Sequence, residues 1–255
     1  MKILASDYDG TLFIGGGIKK EVIKAIGQWK AAGNKFGLVT GRCLFTARDA
    51  ILENNLDVDF IICNNGCTIY DSNLNEIYIS PMATDIVGKI INSQSIKLSK
   101  YIILTDKYGR YVYDDNYAEG KYKNAYHTGV LNSVDIKGHT QIYQIDTKYD
   151  GVKEVFEAKA SMELEFGGLV TINANVDSID LNPYGETKLT GLQHYINKMG
   201  IQATDIITVG DSYNDLPMIL HYGGYTMSSA YKDMKQKVGK VVGSVADIIS
   251  KGLMP

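Results

Sequence analysis

Apolar residues fall in short unbroken runs, separated by stretches in which they recur at helical spacing. The run over residues 2–6 enters Asp7-Tyr8-Asp9-Gly10-Thr11, which predicts a strand buried on both faces and ending in an acidic turn. Ile18, Val22, Ile26 and Trp29 then mark one face of a helix that Gly33 stops. Residues 36–40 read as a second buried strand, Leu44, Ala47 and Ile51 as a second helix, and residues 60–63 as a third strand. Strand, helix, strand, helix, strand predicts a parallel sheet with right-handed crossovers. The same rhythm returns late, with a helix over 187–199 ended by Gly200, a strand over 206–209 and a helix over 213–222. Weaker strand signals follow at 224–227 and 240–242.

The segment between these halves has another character. Pro81 and Pro183 bracket it, and strand-like runs at 101–104, 110–113, 141–145, 170–173 and 178–181 accompany helix patterns near 83–92 and 151–164. This α+β patterning predicts an inserted domain over 82–182 in an α/β core formed by 1–81 and 183–255. Seven of the 18 tyrosines lie between Tyr101 and Tyr126. Two readings stand for them: β-propensity on a half-exposed sheet, or a stacking surface for a substrate ring. The insert carries 11 basic and 14 acidic residues, a net of -3, which leaves the core neutral.

Composition narrows the class. At 255 residues, 45% hydrophobic and 22% charged, the chain has the balance of a globular protein with ample core. A net charge of -3 excludes a broad basic footprint for nucleic acid or anionic membrane, so a small partner is expected. No apolar run reaches the roughly 18 residues of a membrane span, and the start turns acidic before any signal-like core forms, which predicts a cytoplasmic protein. Cys43, Cys63 and Cys67 make no C-x-x-C pair and read as reduced, buried thiols. The four histidines, His127, His139, His194 and His221, lack metal-ligand spacing and read as structural or surface residues.

Chemistry-bearing residues sit at the carboxyl ends of the expected strands, where a parallel sheet leaves a crevice. Asp7 and Asp9 can hold a hard cation or divide the work of nucleophile and acid, although D-x-D-G alone also reads as a plain turn. Gly210-Asp211-Ser212-Tyr213-Asn214-Asp215 follows another strand and lies on the same edge if all strands are parallel; helix N-capping is its alternative. Three carboxylates with a carbonyl and water form an all-oxygen set suited to Mg²⁺. Thr40-Gly41-Arg42 adds a hydroxyl, a backbone N–H and a cation, and Lys188 opens a helix where anions are favoured. Singly, each of these is ordinary; four such turns on one edge form a pattern.

In order, Asp7-x-Asp9-Gly10-Thr11, Thr40-Gly41-Arg42, Lys188 and Gly210-Asp211-x-x-Asn214-Asp215 resemble the four motifs of the haloacid dehalogenase-like hydrolases. The insert, with Asn65-Gly66 after the third strand, resembles the Cof-type subfamily with a C2-type cap. The resemblance implies a Rossmann-like parallel-sheet core with an inserted α+β cap domain. It implies that Asp7 attacks phosphorus to form an aspartyl-phosphate, and that Asp9 protonates the leaving alcohol and later activates water. It further implies Mg²⁺ on Asp7, the Asp9 carbonyl and Asp211, with Asp215 behind them, and phosphoryl oxygens clamped by Thr40, Gly41, Lys188 and Asn214. Arg42 is a candidate contact to substrate or cap, with a structural ion pair as its alternative.

Two departures from the family pattern stand out: the short glycine-rich loop over residues 12–17, and Met227-Ser228-Ser229-Ala230 where Met-x-Asn-Ala is common. The expected activity is a Mg²⁺-dependent phosphatase for small phosphorylated metabolites, working as a monomer or weak homo-oligomer, with cap hinges near Pro81 and Pro183. A phosphomutase of the same architecture and a non-catalytic phospho-metabolite sensor are the alternatives.

Overall fold

The computed structural model describes residues 1–114 and 127–253. The chain begins with β1 (Ile3–Ser6), α1 (Lys20–Ala31), β2 (Lys35–Val39), α2 (Leu44–Glu53), β3 (Phe60–Cys63), β4 (Thr68–Asp71) and β5 (Glu76–Ile79). It continues with α3 (Thr84–Ile91), α4 (Gln94–Lys97), β6 (Tyr101–Thr105), β7 (Arg110–Tyr113), β8 (Gly129–Leu131), β9 (Gln144–Lys148), α5 (Val152–Phe166), β10 (Val170–Ala174) and β11 (Ser178–Pro183). It ends with α6 (Lys188–Met199), β12 (Ile206–Gly210), α7 (Leu216–Tyr222), β13 (Tyr225–Met227), α8 (Lys232–Val238), β14 (Val241–Val242) and α9 (Val245–Leu253).

Two units result, Met1–Ile79 with Thr187–Pro255, and Ser80–Glu186. These limits differ by a few residues from the 82 and 182 expected from sequence. Pro183 is still paired with Val170 at the end of β11, and the Glu186 N–H closes a turn on the Pro183 carbonyl. The last strand of the insert therefore carries its turn with it.

In the first unit the strand order is β14-β13-β12-β1-β2-β3-β4-β5. Strands β14 to β3 run parallel, and a β4–β5 hairpin that the sequence pattern did not reveal adds an antiparallel edge. The chain leaves β1 toward β2 and β3 on one side and returns through β12 to β14 on the other, so the topological switch lies between β1 and β12.

Side chains of the central strands alternate between two layers. Leu4, Phe36, Leu38 and Ile61 meet Val22, Ile26 and Trp29 of α1 and Val245, Ile248 and Ile249 of α9. Ile3, Ala5, Val39, Phe60 and Ile62 face Leu192, Tyr195 and Ile196 of α6 and Met218 of α7. Full burial of each large apolar side chain contributes roughly 1.5–3 kcal/mol, so these layers hold the strand ends in place far more firmly than helix propensity could. Trp29 is fully buried yet keeps its indole N–H bonded to the Lys35 carbonyl at 2.8 Å.

The second unit has a sheet ordered β10-β11-β9-β6-β7-β8, antiparallel except between β7 and β8. Leu104, Ile145, Ile179 and Leu181 point to one face, where they meet Val155, Ala158, Met162 and Phe166, the buried stripe of α5, and Val87, Ile90 and Ile91 of α3. Along the opposite face runs a row of polar groups. Asn173 donates to Asn182 at 3.1 Å, Asn182 to Gln144 at 3.1 Å and Gln144 to Asp146, which Arg110 also binds at 2.8 Å. Of the clustered tyrosines, Tyr111 and Tyr113 pack on the helix-side core and Tyr101 against Ile103 and Val112, while Tyr108 is exposed in the turn between β6 and β7. Tyr117, Tyr122 and Tyr126 lie outside the described residues.

Candidate active site

Because β1, β2, β3 and β12 are parallel neighbours, Asp7, Thr40, Asn64 and Asp211 all follow strand ends on one edge of the sheet. The Asp7 N–H continues the ladder to the Val209 carbonyl at 3.0 Å, which fixes the first acid against the strand that carries the last motif. Gly10 has φ +83°, and a Cβ there would run into the Asp211 carboxylate, so only glycine lets the two acidic turns meet. Thr11 then donates its hydroxyl to Asp211 Oδ1 at 2.7 Å. The glycine-rich stretch after it forms a small closed loop, with the Ile14 N–H on the Gly17 carbonyl.

Lys188 reaches the centre from the first turn of α6. That helix starts at an N-cap, Thr187, whose hydroxyl accepts from the Thr190 N–H while its own N–H donates to Thr190 Oγ1. The ammonium donates to Asp7 Oδ1 at 2.7 Å and to Asp215 Oδ1 at 2.6 Å, and all three side chains are nearly or completely excluded from solvent. Burial pulls the Lys188 ammonium down, but Asp215 and Asp7 outweigh it and hold it above the ordinary lysine range. Burial pushes the Asp7 carboxyl well up despite Lys188, with Asp215 and Asp211 adding to the rise. Asp211 is likewise raised by burial, against the hydroxyl of Thr11. One ammonium among three carboxylates leaves an excess of buried negative charge.

Asp7, Asp211 and Asp215 each offer a carboxylate oxygen, and these atoms lie within 4.8 Å of one another. An all-oxygen set carrying surplus negative charge fits a hard divalent cation such as Mg²⁺. Asp215 is the most fully engaged of the three. Its Oδ1 takes Lys188 and its Oδ2 accepts the N–H groups of Asp211 and Ser212 at 3.1 and 3.0 Å, so it shapes the loop that presents Asp211.

The remaining motif residues surround this cluster. Thr40 is buried, and its hydroxyl accepts the Arg42 N–H at 3.1 Å, turning the chain at Gly41. Arg42 binds Asp9 with two donors, stacks its guanidinium 4.6 Å over the Tyr8 ring and reaches the Thr46 carbonyl. The Asp9 carboxylate therefore faces Arg42 rather than the acid cluster. Asn214 donates its amide to Asn65 Oδ1 at 3.2 Å, a partner that residue spacing gave no reason to expect. Two adjacent asparagines before Gly66 at a strand end were the available signal.

His139 bonds Asp106 at 2.6 Å, His194 stacks on Tyr78 and His221 contacts Gln193. Cys43, Cys63 and Cys67 are free and buried. Among the described residues no helix is long and apolar enough to cross a membrane.

A parallel sheet with its acids at the switch point is a Rossmann-like α/β architecture, and comparison with known proteins specifies it. The sequence profile of the haloacid dehalogenase-like hydrolases matches residues 4–249. The chain belongs to that family. It is 25% identical over 257 residues to the Bacillus subtilis 5-amino-6-(5-phospho-D-ribitylamino)uracil phosphatase YcsE, covering 99% of this chain and 94% of that one. The fold matches a haloacid dehalogenase-like hydrolase from B. subtilis with a TM-score of 0.83 at 18% identity, covering 100% of both chains. It also matches the subclass IIB sugar phosphatase BT4131 with a TM-score of 0.78 at 21% identity, covering 99% of each chain.

Proposed function

We propose that this protein is a Mg²⁺-dependent phosphatase that hydrolyses small phosphorylated metabolites, sugar phosphates or similar monoesters, through an aspartyl-phosphate. The observation that carries this reading is the set of buried Asp7 and Asp215 with half-buried Asp211 around Lys188 at the switch of a parallel sheet. Mg²⁺ held by Asp7, Asp211 and the Asp9 carbonyl supplies positive charge to the phosphoryl oxygens and to the attacking carboxylate.

The Asp7 carboxylate attacks phosphorus; the P–O bond to Asp7 forms as the bond to the substrate alcohol breaks, and Asp9 gives the departing oxygen a proton. Water then attacks the aspartyl-phosphate and loses a proton to Asp9, which releases phosphate and restores Asp7. Lys188, Thr40, the Gly41 N–H and Asn214 receive the phosphoryl oxygens, whose charge would otherwise repel a carboxylate nucleophile.

To the inserted unit we assign the part of a cap that discriminates among leaving groups. The helix-free face of its sheet carries a row of amide and charged groups, Asn173, Asn182, Gln144, Asp146 and Arg110, hydrogen-bonded to one another.

The test is phosphate release from a panel of sugar phosphates, nucleotides, cofactor phosphates and a phosphoribityl compound, with Mg²⁺ and with chelator, on the native protein and Asp9→Asn. Mg²⁺-dependent release that the substitution abolishes is expected. Transfer of the phosphoryl group within a sugar without free phosphate would assign a mutase instead, and Mg²⁺-dependent binding with no turnover a sensor.

A further inference from the structure

The chain turns out of β3 through Asn64 (φ 52°), Asn65 (φ 53°) and Gly66 (φ 114°), three successive left-handed residues, the two asparagines almost fully buried. Consecutive non-glycine residues in this region are uncommon, and asparagine is among the few side chains that tolerate it. The surroundings account for the strain. The Asn64 N–H donates to the Arg42 carbonyl at 2.9 Å and the Asn65 N–H to the Thr40 carbonyl at 3.1 Å, so the turn is clipped to both ends of the Thr40-Gly41-Arg42 loop. Gly66 lies against the start of α6, where a Cβ would collide with the Thr187 carbonyl oxygen, one residue from Lys188. The Asn65 side chain reaches the third partner, accepting from Asn214 Nδ2.

That last bond decides how Asn214 stands. It is the only hydrogen bond of the Asn214 side chain among the described residues, and Asn214 Oδ1 is buried without a partner. With the Asn65 carbonyl oxygen turned toward it, rotating the Asn214 amide by half a turn would set two acceptors against each other, so this setting of Asn65 holds Asn214 in one orientation. In that orientation one hydrogen of the Asn214 amino group is spent on Asn65 and the second is left on the same nitrogen for an anion.

We propose that Asn65 is a positioning residue for phosphoryl binding: its backbone fixes the Thr40 turn and its side chain sets the Asn214 amide, so two of the anion-binding elements are aligned by one residue. The inference rests on the phosphatase reading of this site and adds to it a residue that none of the four motifs contains.

The test is the affinity of inorganic phosphate in the presence of Mg²⁺, measured by calorimetry, with steady-state hydrolysis and thermal melts alongside. The proteins compared are the native chain, Asn65→Gly, Asn214→Ala, the double variant and Asn64→Gly. Glycine keeps the left-handed backbone, so Asn65→Gly removes the side chain without adding strain. We expect Asn65→Gly to weaken phosphate about tenfold in a protein that still melts cooperatively, and the double variant to bind no more weakly than Asn214→Ala alone. Asn64→Gly should bind phosphate like the native chain.

Native affinity in Asn65→Gly, losses that multiply in the double variant, or an equal loss in Asn64→Gly would each overturn the proposal while leaving the phosphatase reading intact. A native protein that neither binds nor releases phosphate overturns both.

Discussion

One guanidinium takes up both oxygens of the Asp9 carboxylate: Arg42 Nε donates to Oδ2 at 2.8 Å and Nη2 to Oδ1 at 2.7 Å. The pair is too open to matter much for folding, since the Arg42 side chain is 31% and that of Asp9 54% exposed, and such ion pairs contribute about 0–1 kcal/mol. Its consequence is orientation. Arg42→Ala should change Tm little while lowering kcat for phosphate release by about 10- to 100-fold, the usual size of losing a group that orients a reacting one. Arg42→Lys should recover only part of this, because an ammonium cannot match the two-pronged geometry. An unchanged kcat in Arg42→Ala would show the pair to be a surface contact only.

Lys188 is the counterpart in the interior. It is the ion-pair partner of both Asp7 and Asp215, and removing one member of a buried ionic group leaves the others uncompensated, which costs about 3–5 kcal/mol. Lys188→Met should therefore unfold in urea well before the native chain at pH 7. The difference should shrink on acidification, because protonating Asp7, whose carboxyl burial already pushes up, removes the charge that needs a partner. A deficit that stays constant as the pH falls would locate the damage in packing.

Much of this arrangement follows from the sequence, and the division is physical. Strands buried on both faces, such as Ile3–Ser6 and Phe60–Cys63, must be continuously apolar, so their ends and the residues placed there can be read directly. Asp7, Thr40, Lys188 and Asp211 were therefore placed by their position after a strand or at the start of a helix. The β4–β5 hairpin escaped because edge strands need no such run; Glu76–Ile79 has no buried residue. Helix α8 escaped for a similar reason, with Met234 its one buried position. Side-chain pairs such as Asn65 with Asn214, 149 residues apart, depend on rotamers across the sheet edge and leave no periodic trace.

Tyr195 offers a pH measurement remote from the acids. Its ring stacks on Phe60 at 3.9 Å between centroids, and burial, with Asp59 nearby, pushes its phenol up to about 12. In the unfolded chain the phenol ionises near its ordinary value of about 10. The folded state holds the proton more tightly, so this stabilising contribution is complete below pH 10 and is lost as the pH rises toward 12, by at most about 3 kcal/mol. Tyr195→Phe should keep the ring stack and flatten the fall of Tm over that interval. Parallel curves for the two proteins would mean that other groups govern alkaline unfolding.

Cation binding can be tested without any substrate. Three carboxylates share one ammonium in a buried cluster, so a divalent cation relieves repulsion in the folded chain that the unfolded chain does not have. Mg²⁺ at a hundred times its Kd should stabilise the native protein by about 2.7 kcal/mol, visible as a rise of several degrees in Tm. Asp211→Asn should abolish the rise, because Asp211 is less committed than Asp215, whose two oxygens already hold Lys188 and two backbone amides. Asp150→Asn, which alters an exposed carboxylate paired with Lys100 in the inserted unit, should leave it intact. Equal Mg²⁺ shifts in all three proteins would place the cation elsewhere and remove the main support for reading this cluster as a metal centre.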